Sequence, residues 1–535
     1  GTVLTRTVNI GPPSAPVSLT ATGRATSIDL KWAAAVGGEV GGYNIFRSSS
    51  QAGPFVKVND LPTDRVAYYR DEDLPAMTRF YYRVAAVDSS GNQGAVSGTA
   101  LATTSLPGFE GFPLELDAAT PSSPCLAYLS GDKKADLVTV ADEVYAVRDD
   151  GTELLDGDQD TQTYGVFAGT GYGPFWSPPS VADLDLDGVQ EIVGAGYQSA
   201  YLFVWSSHGG VRPGWPRLLN LEALVSPSVW GAPALADLDA DGDLEILINA
   251  ARYLFVFHHD GAEFLDGDAN PATTGVFLVM GASANYSTPA VADVDNDGAP
   301  EIIVGSRDGK LYVMNPDRTA LAGFPFVSGG DITNSPAIGD LDNDGWKEMV
   351  FANGNLQVFA LNANLRQPPG WPQAANMNRD YDASPALADM DGDGYLDVAL
   401  CAGNGTAYLW HGQNGQLFPG WGFVLYDASG LKVGLSSSPA VGNLDGDPQY
   451  EICFGANDGK LYAYNVNATP VEGFPIATGN RIEGGPVLWD VDNDGFTEVI
   501  AHSLDQNLYV WQSPGAFDPA NQPWPMFHHD SRRTG

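Results

Sequence analysis

AVADVDNDGAPEII, residues 290–303, sets three aspartates on alternate positions, then a glycine, then a glutamate at the head of an apolar run. Alternate side chains of an extended turn project the same way, so Asp293, Asp295 and Asp297 converge on one point. Gly298 permits a sharp bend, Ala299 offers its carbonyl, and Glu301 returns a further carboxylate from the start of the next strand. A hard cation such as calcium takes six to eight oxygens at about 2.3–2.6 Å, and this pattern of residues supplies that chemistry.

The phrase recurs six more times. The other loops are predicted to use Asp183, Asp185, Asp187, the Val189 carbonyl and Glu191; Asp237, Asp239, Asp241, Asp243 and Glu245; and Asp340, Asp342, Asp344, Trp346 and Glu348. Then follow Asp389, Asp391, Asp393, Tyr395 and Asp397; Asn443, Asp445, Asp447, Gln449 and Glu451; and Asp490, Asp492, Asp494, Phe496 and Glu498. In each set the fourth residue contributes its carbonyl. One Asp-rich turn alone is an ordinary solvated turn, but seven copies in register, with 27 of 28 side-chain positions acidic, are a set of cation sites. The weakest is the loop from Asn443, which starts with a neutral amide and has Pro448 where the others carry glycine. A degenerate eighth copy, SPCLAYLSGDKKADLV (123–138), has Tyr128 and Ser130 at acid positions, keeps only Asp132 and Asp136, and is expected to hold no ion.

Successive first ligands lie 47 to 56 residues apart, and each interval contains the same order of short apolar strands and closes on a GFP or GWP phrase. Four short strands per period of this length predict an all-β propeller. Eight periods give eight blades, or seven if the degenerate copy has become a cap. GFPLEL (111–116) and PWPMF (523–527) are the candidates for the strand that closes the ring. No helical pattern flanks the acidic loops, which excludes an EF-hand. With strand on both sides, residues 107–535 resemble the FG-GAP (VCBS) repeats of integrin α-subunit propellers and of bacterial extracellular proteins. That resemblance implies structural Ca²⁺ at about seven sites, on the face opposite the one where propellers take ligands.

Residues 12–104 read differently: APVSLTAT, SIDLKWA, GGYNIFRSS and FYYRVAAVDSSGN are spaced strands of a small sandwich. They resemble a fibronectin type III domain with Trp32 as its core tryptophan, and Phe80 stands where that family usually has its corner tyrosine. Residues 1–11 read as a linker or the tail of something upstream, which makes covalent continuation into a longer polypeptide an open expectation.

The net charge of −40, with only 26 basic residues, argues against nucleic acid as a partner. No run of 18 apolar residues exists to insert in a membrane. Cys125, Cys401 and Cys453 lie in apolar strand-like runs and read as buried free thiols. His258–His259 and His528–His529 read as ordinary surface or core histidines, since neighbours on a strand point to opposite faces. The paired insertions at 153–167 and 263–277 share a DGD and read as ordered Asp-rich turns.

One aligned position, seven residues before the first ligand, carries Pro121, Trp176, Trp230, Tyr286, Thr333, Asp382, Ser436 and Glu483, with Tyr381 beside the sixth. Trp176, Trp230, Tyr286 and Tyr381 are candidate ligand-binding residues, suited to stacking on a sugar or gripping a peptide; the competing reading packs them between blades. No GxSxG, HExxH, P-loop or Rossmann fingerprint occurs. The expectation is a secreted or cell-surface binding and adhesion module for a glycan or protein ligand, or part of a self-assembling extracellular structure. Two alternatives stay open: a polysaccharide-active, lyase-like enzyme, for which the 8 lysines form no visible cluster, and the non-catalytic part of a secreted hydrolase.

Overall fold

The computed structural model describes residues 12–36, 40–157, 165–169, 171–219, 228–270, 273–284, 286–375, 383–427, 429–519 and 523–535. Strands, turns and bridges make up the regular structure, and no helix occurs among the described residues. The chain falls into two compact units that part between Pro107 and Gly108, with the short stretch Glu472–Ala477 grouped with the first.

The first unit has a three-stranded sheet, Val17–Gly23, Ile28–Ala33 and Tyr68–Asp71. Its second sheet joins Val56–Lys57, Val40–Ser48, Arg79–Asp88 and Gln93–Val96, with Ala100–Thr103 also paired to Arg79–Asp88. Ile28, Leu30, Trp32, Tyr43, Ile45, Tyr82 and Val84 form one buried cluster, in which Trp32 meets Tyr43 edge-on at 5.0 Å. Phe80 is only partly buried, under the Arg47 guanidinium, while the Tyr82 hydroxyl donates to Asp71 at 2.8 Å.

Among the described residues from Leu114 onward, the strands form eight four-stranded sheets, seven of them built from strands consecutive in sequence. Their first strands are three residues long and rich in small residues, as in Ser180–Ala182, Ala234–Ala236, Ala290–Ala292 and Ala440–Gly442. First strands of successive sheets touch one another in order, which places them around a common axis. The last sheet meets the first through Ala135 N to Val491 O (3.2 Å) and Asn493 Nδ2 to Lys133 O (3.1 Å), so the ring is closed and propeller-like. Second strands such as Glu301–Ser306 are buried along their whole length, which explains why they read as continuous apolar runs without alternation.

The Ser-Pro steps ahead of the first strands have a structural role. Their hydroxyls accept backbone N–H groups from the preceding sheet: Ala232 N to Thr288 Oγ1 (2.8 Å), Thr288 N to Ser335 Oγ (2.9 Å), Ser335 N to Ser384 Oγ (3.0 Å) and Ser384 N to Ser438 Oγ (2.9 Å). Gly485 N to Ser123 Oγ (2.8 Å) continues this belt across the closure. Donors that would otherwise be buried unpaired are thereby satisfied around the axis.

The two chain ends do different jobs. Leu114–Glu115, within GFPLEL, pairs with Asn507–Ala516 and completes the last sheet. PWPMF does not close a blade and instead runs into the axis, because first strands leave an unpaired inner edge that needs acceptors. Carbonyls of Trp524, Pro525, Ser531, Arg532 and Thr534 accept from Val441, Leu488, Val181, Leu235 and Val291 N–H groups at 2.8–3.0 Å. Arg533 is wholly buried there and donates to the carbonyls of Phe527, Pro124 and Pro179. His528 is buried beside it, whereas His529 remains partly exposed. All three cysteines are buried and free.

Candidate functional site

Each acidic loop joins the first strand of a sheet to the second. The final carboxylate pairs across the ladder with the residue just before the loop, as in Ala292↔Glu301, Gly339↔Glu348 and Ala388↔Asp397, so the strands fix both ends of the donor set. Within the loop, the first aspartate folds the backbone around itself: Asp293 accepts Asn296 N (2.7 Å) and Gly298 N (3.1 Å). Gly298 needs its glycine because its φ is +94°. Backbone N–H groups of Val189, Asp243, Ala299, Trp346, Tyr395, Gln449 and Phe496 all donate to the carboxylate two residues earlier.

The last acid of each loop is buried, and one of its oxygens accepts the N–H of the loop's second residue, for example Val294 N to Glu301 at 2.8 Å. The other oxygen has no hydrogen-bond partner in Glu301, Glu348, Asp397, Glu451 and Glu498. Burial, reinforced by the neighbouring aspartates, pushes Glu245 and Glu301 up to about 7, and Glu348, Asp397, Glu451 and Glu498 up to about 8. Three further carboxylates neighbour the orphan oxygen of Glu301, Glu348, Asp397 and Glu498, and two neighbour that of Glu451; a hard divalent cation held by such a donor set would offset both the desolvation and the mutual repulsion. Ligand atoms of Asp293, Asp295 and Asp297, and likewise of Asp237, Asp239 and Asp241, lie within 4.8 Å of one another.

The eight loops are not equivalent. In the degenerate first copy, Asp136 accepts Leu129 N (2.6 Å) and Ser130 N (2.8 Å), Ser130 donates to Asp132, and Lys134 pairs with Asp149, so the turn is satisfied without an ion. In the loop from Asn443, the Asn443 amide donates to the Asp447 carbonyl at 2.6 Å and closes the turn on itself. The loop from Asp183 holds a side-chain cation that sequence reasoning missed: Arg212 pairs with Asp185 and, at 2.7 Å, with Glu191. Loops from Asp237 and Asp389 face histidines, His258 and His411. The 263–277 insertion is an ordered turn, with Ala269 N on Asp266 Oδ1 (2.7 Å) and Arg318 holding the Asp266 and Gly267 carbonyls; parts of both insertions lie outside the described residues.

At the opposite ends of the first strands, the aligned positions meet. Pro121, Trp176, Trp230, Tyr286, Thr333, Ser436 and Glu483 all line one cavity of about 140 Å³ over the axis, with Phe527 of the tail among its walls. Tyr381 and Asp382 lie outside the described residues. Trp176, Trp230 and Tyr286 are half-buried and form one aromatic cluster with Tyr197: Trp176 stacks on Tyr197 (4.0 Å), Tyr197 meets Trp230 edge-on (4.8 Å), Trp230 lies tilted against Trp176 (5.1 Å) and Tyr286 stacks on Trp230 (5.5 Å), with Arg307 over Tyr286 at 5.3 Å. Across the cavity stands Glu483, raised by burial and paired with Arg481 at 3.0 Å. One wall is therefore aromatic and the other polar.

Residues 183–248, 237–304, 293–351 and 340–400 match the family model described as FG-GAP-like repeat, so this part of the chain carries FG-GAP-like repeats. An amylopullulanase of Thermoanaerobacter thermohydrosulfuricus is 35% identical over 96 residues, which is 18% of this chain and 6% of that protein. An alpha-amylase of Niallia circulans is 38% identical over 94 residues, 17% of this chain and 7% of that protein. The chain thus matches only a small part of these curated relatives. Among solved structures, the V. cholerae biofilm matrix protein Bap1 superposes with a TM-score of 0.52 at 13% identity, over 78% of this chain and 92% of that one, a likeness of fold.

Proposed function

We propose that the chain is a calcium-stabilised extracellular binding module, a fibronectin type III-like sandwich followed by an eight-bladed FG-GAP propeller, which takes a glycan or protein ligand at its axial mouth. The observation that carries this reading is the recurrence, in four loops, of a buried last-acid oxygen that receives no hydrogen bond and has three other carboxylates as neighbours, those of Glu301, Glu348, Asp397 and Glu498. Such an arrangement is costly without a cation and stabilising with one. Extracellular-type calcium sites fill at millimolar calcium, which fits a secreted or surface location.

The ligand face is assigned to Trp176, Trp230 and Tyr286, supported by their convergence on one cavity with Glu483. A cavity of about 140 Å³ suits one six-membered ring or one side chain, not the interior of a long polymer. The module acts without catalysis of its own. The short matches to an amylopullulanase and an alpha-amylase favour the reading that it serves as a non-catalytic part of a secreted protein. A glycan and matrix-protein array, run with calcium and with chelator, tests this. Calcium-dependent binding that the Trp176→Ala/Trp230→Ala variant weakens by one to two orders of magnitude is expected, at about 1.4 kcal/mol per tenfold. Retention of full affinity by that variant contradicts the assignment.

A further inference from the structure

The residue facing the last acid across the second and third strands varies from sheet to sheet. It is Asn362 opposite Glu348, Asn465 opposite Glu451 and Gln512 opposite Glu498, but His411 opposite Asp397. In the sheet of the Asp237 loop, Ile246 pairs with Phe257, so His258 stands next to Glu245, and its Nδ1 lies 3.0 Å from Glu245 Oε1. Two of the acidic loops therefore have an imidazole nitrogen where these three have an amide.

Both histidines meet a nearly complete donor set. Nδ1 of His411 lies 3.8 Å from Asp391 Oδ2 and 3.5 Å from Asp397 Oδ1. Asp397 is 1% exposed, and this oxygen receives no hydrogen bond. The His411 ring is held in orientation by stacking on Phe418 at 3.7 Å, and Gln413 fixes Asp393 through a 2.9 Å hydrogen bond. Ligand atoms of Asp391, Asp393 and His411 fall within 4.8 Å of one another, as do those of Asp239, Glu245 and His258. Calcium takes oxygen and gains little from imidazole, whereas first-row transition cations favour a mixed nitrogen and carboxylate set.

From this register we infer that the loops from Asp237 and Asp389 are mixed sites for a first-row divalent transition metal of the zinc class, with His258 and His411 as nitrogen ligands. The inference rests on the reading of the acidic loops as cation sites and divides them into two chemical kinds. Each imidazole binds as the neutral ring through Nδ1. The remaining complete loops, lacking nitrogen, stay with calcium.

The test uses the full chain, stripped of metal and then dialysed against millimolar calcium with micromolar zinc, with retained zinc counted by mass spectrometry. Two zinc ions per chain are expected in the parent, one in His258→Gln or His411→Gln, and none in the double variant. Glutamine already occupies the equivalent place as Gln512, so the variants keep the fold, and an unchanged melting midpoint in calcium verifies this. Failure to retain zinc against calcium overturns the inference, as does zinc retention unaltered in the double variant. Either result, with calcium-dependent melting intact, leaves the calcium reading standing; loss of calcium-dependent melting itself would strike that reading instead.

Discussion

Arg212 Nη1 lies 2.7 Å from Glu191 Oε1, inside the acidic loop that begins at Asp183, and its Nη2 pairs with Asp185. A guanidinium from the turn after the third strand thus occupies the space that a metal ion would take in the other loops. Glu191 is 2% exposed, so its charge needs a partner.

Replacing Arg212 by methionine is expected to destabilise the chelated protein by about 3 kcal/mol, the cost of removing one partner from a buried pair. Millimolar calcium should recover most of that loss, because the vacated carboxylates then have a cation. Urea unfolding of parent and variant, with and without calcium, measures both numbers. An equal loss under the two conditions would mean that this loop takes no ion.

Asp295→Ala should cost more thermal stability in calcium than Asp445→Ala. The first removes a carboxylate from a complete loop whose Glu301 oxygen is an orphan. The second alters a loop already braced by the Asn443-to-Asp447 hydrogen bond. Melting scans of the two variants decide the order, and the reverse order contradicts the ranking of the sites.

His502 is 2% exposed, donates through Nδ1 to the Thr120 carbonyl at 2.9 Å, and has no partner for Nε2. Burial pushes its imidazole down to about 4. The unfolded chain therefore binds the proton first, so the stability this residue contributes is complete above about pH 6.5 and is lost as pH falls toward 4. From pH 7 to 5 the parent should lose about 2 kcal/mol more than His502→Asn, both in saturating calcium, which cancels the titration of the loop carboxylates. Parallel pH profiles would contradict a neutral buried His502.

Arg533→Met should destabilise the ring by about 3 kcal/mol or more, since it leaves the Pro124, Pro179 and Phe527 carbonyls buried without their donor. Hydrogen exchange gives a local check: the amides of Val181, Leu235 and Val291, protected by tail carbonyls, should exchange faster in the variant. Unchanged protection would mean that the tail is held by its other contacts alone.

Much of this architecture was legible because it is written in local repeats. The D-x-D-x-D-G-x-x-E phrase states its own turn and its own strand boundary, so Asp293 and Glu301 are assignable from fourteen residues. What escaped depends on pairing between distant segments. Arg212 lies outside the repeated phrase and reaches Glu191 only through the hairpin of the second and third strands, and His258 seemed an ordinary strand histidine until the ladder put it beside Glu245. PWPMF echoes the closing phrases in composition, yet the inner edges of the first strands, visible only once the ring is closed, claim it. Stacking of Trp230 on Tyr286 shows why the aromatic position had two readings: the rings pack on each other across neighbouring sheets and also border the mouth.

The central claim is that calcium holds the residues from Gly108 onward together, and the most direct measurement is calorimetric melting of metal-free protein as calcium alone is added back. Each filled site contributes about 1.4 kcal/mol when calcium is ten times its dissociation constant. A ring with several such sites should show its melting transition climb steadily through the millimolar range, while the transition of the sandwich at 12–104 stays in place. A ring transition that melts at the same temperature with calcium and without it would contradict the account.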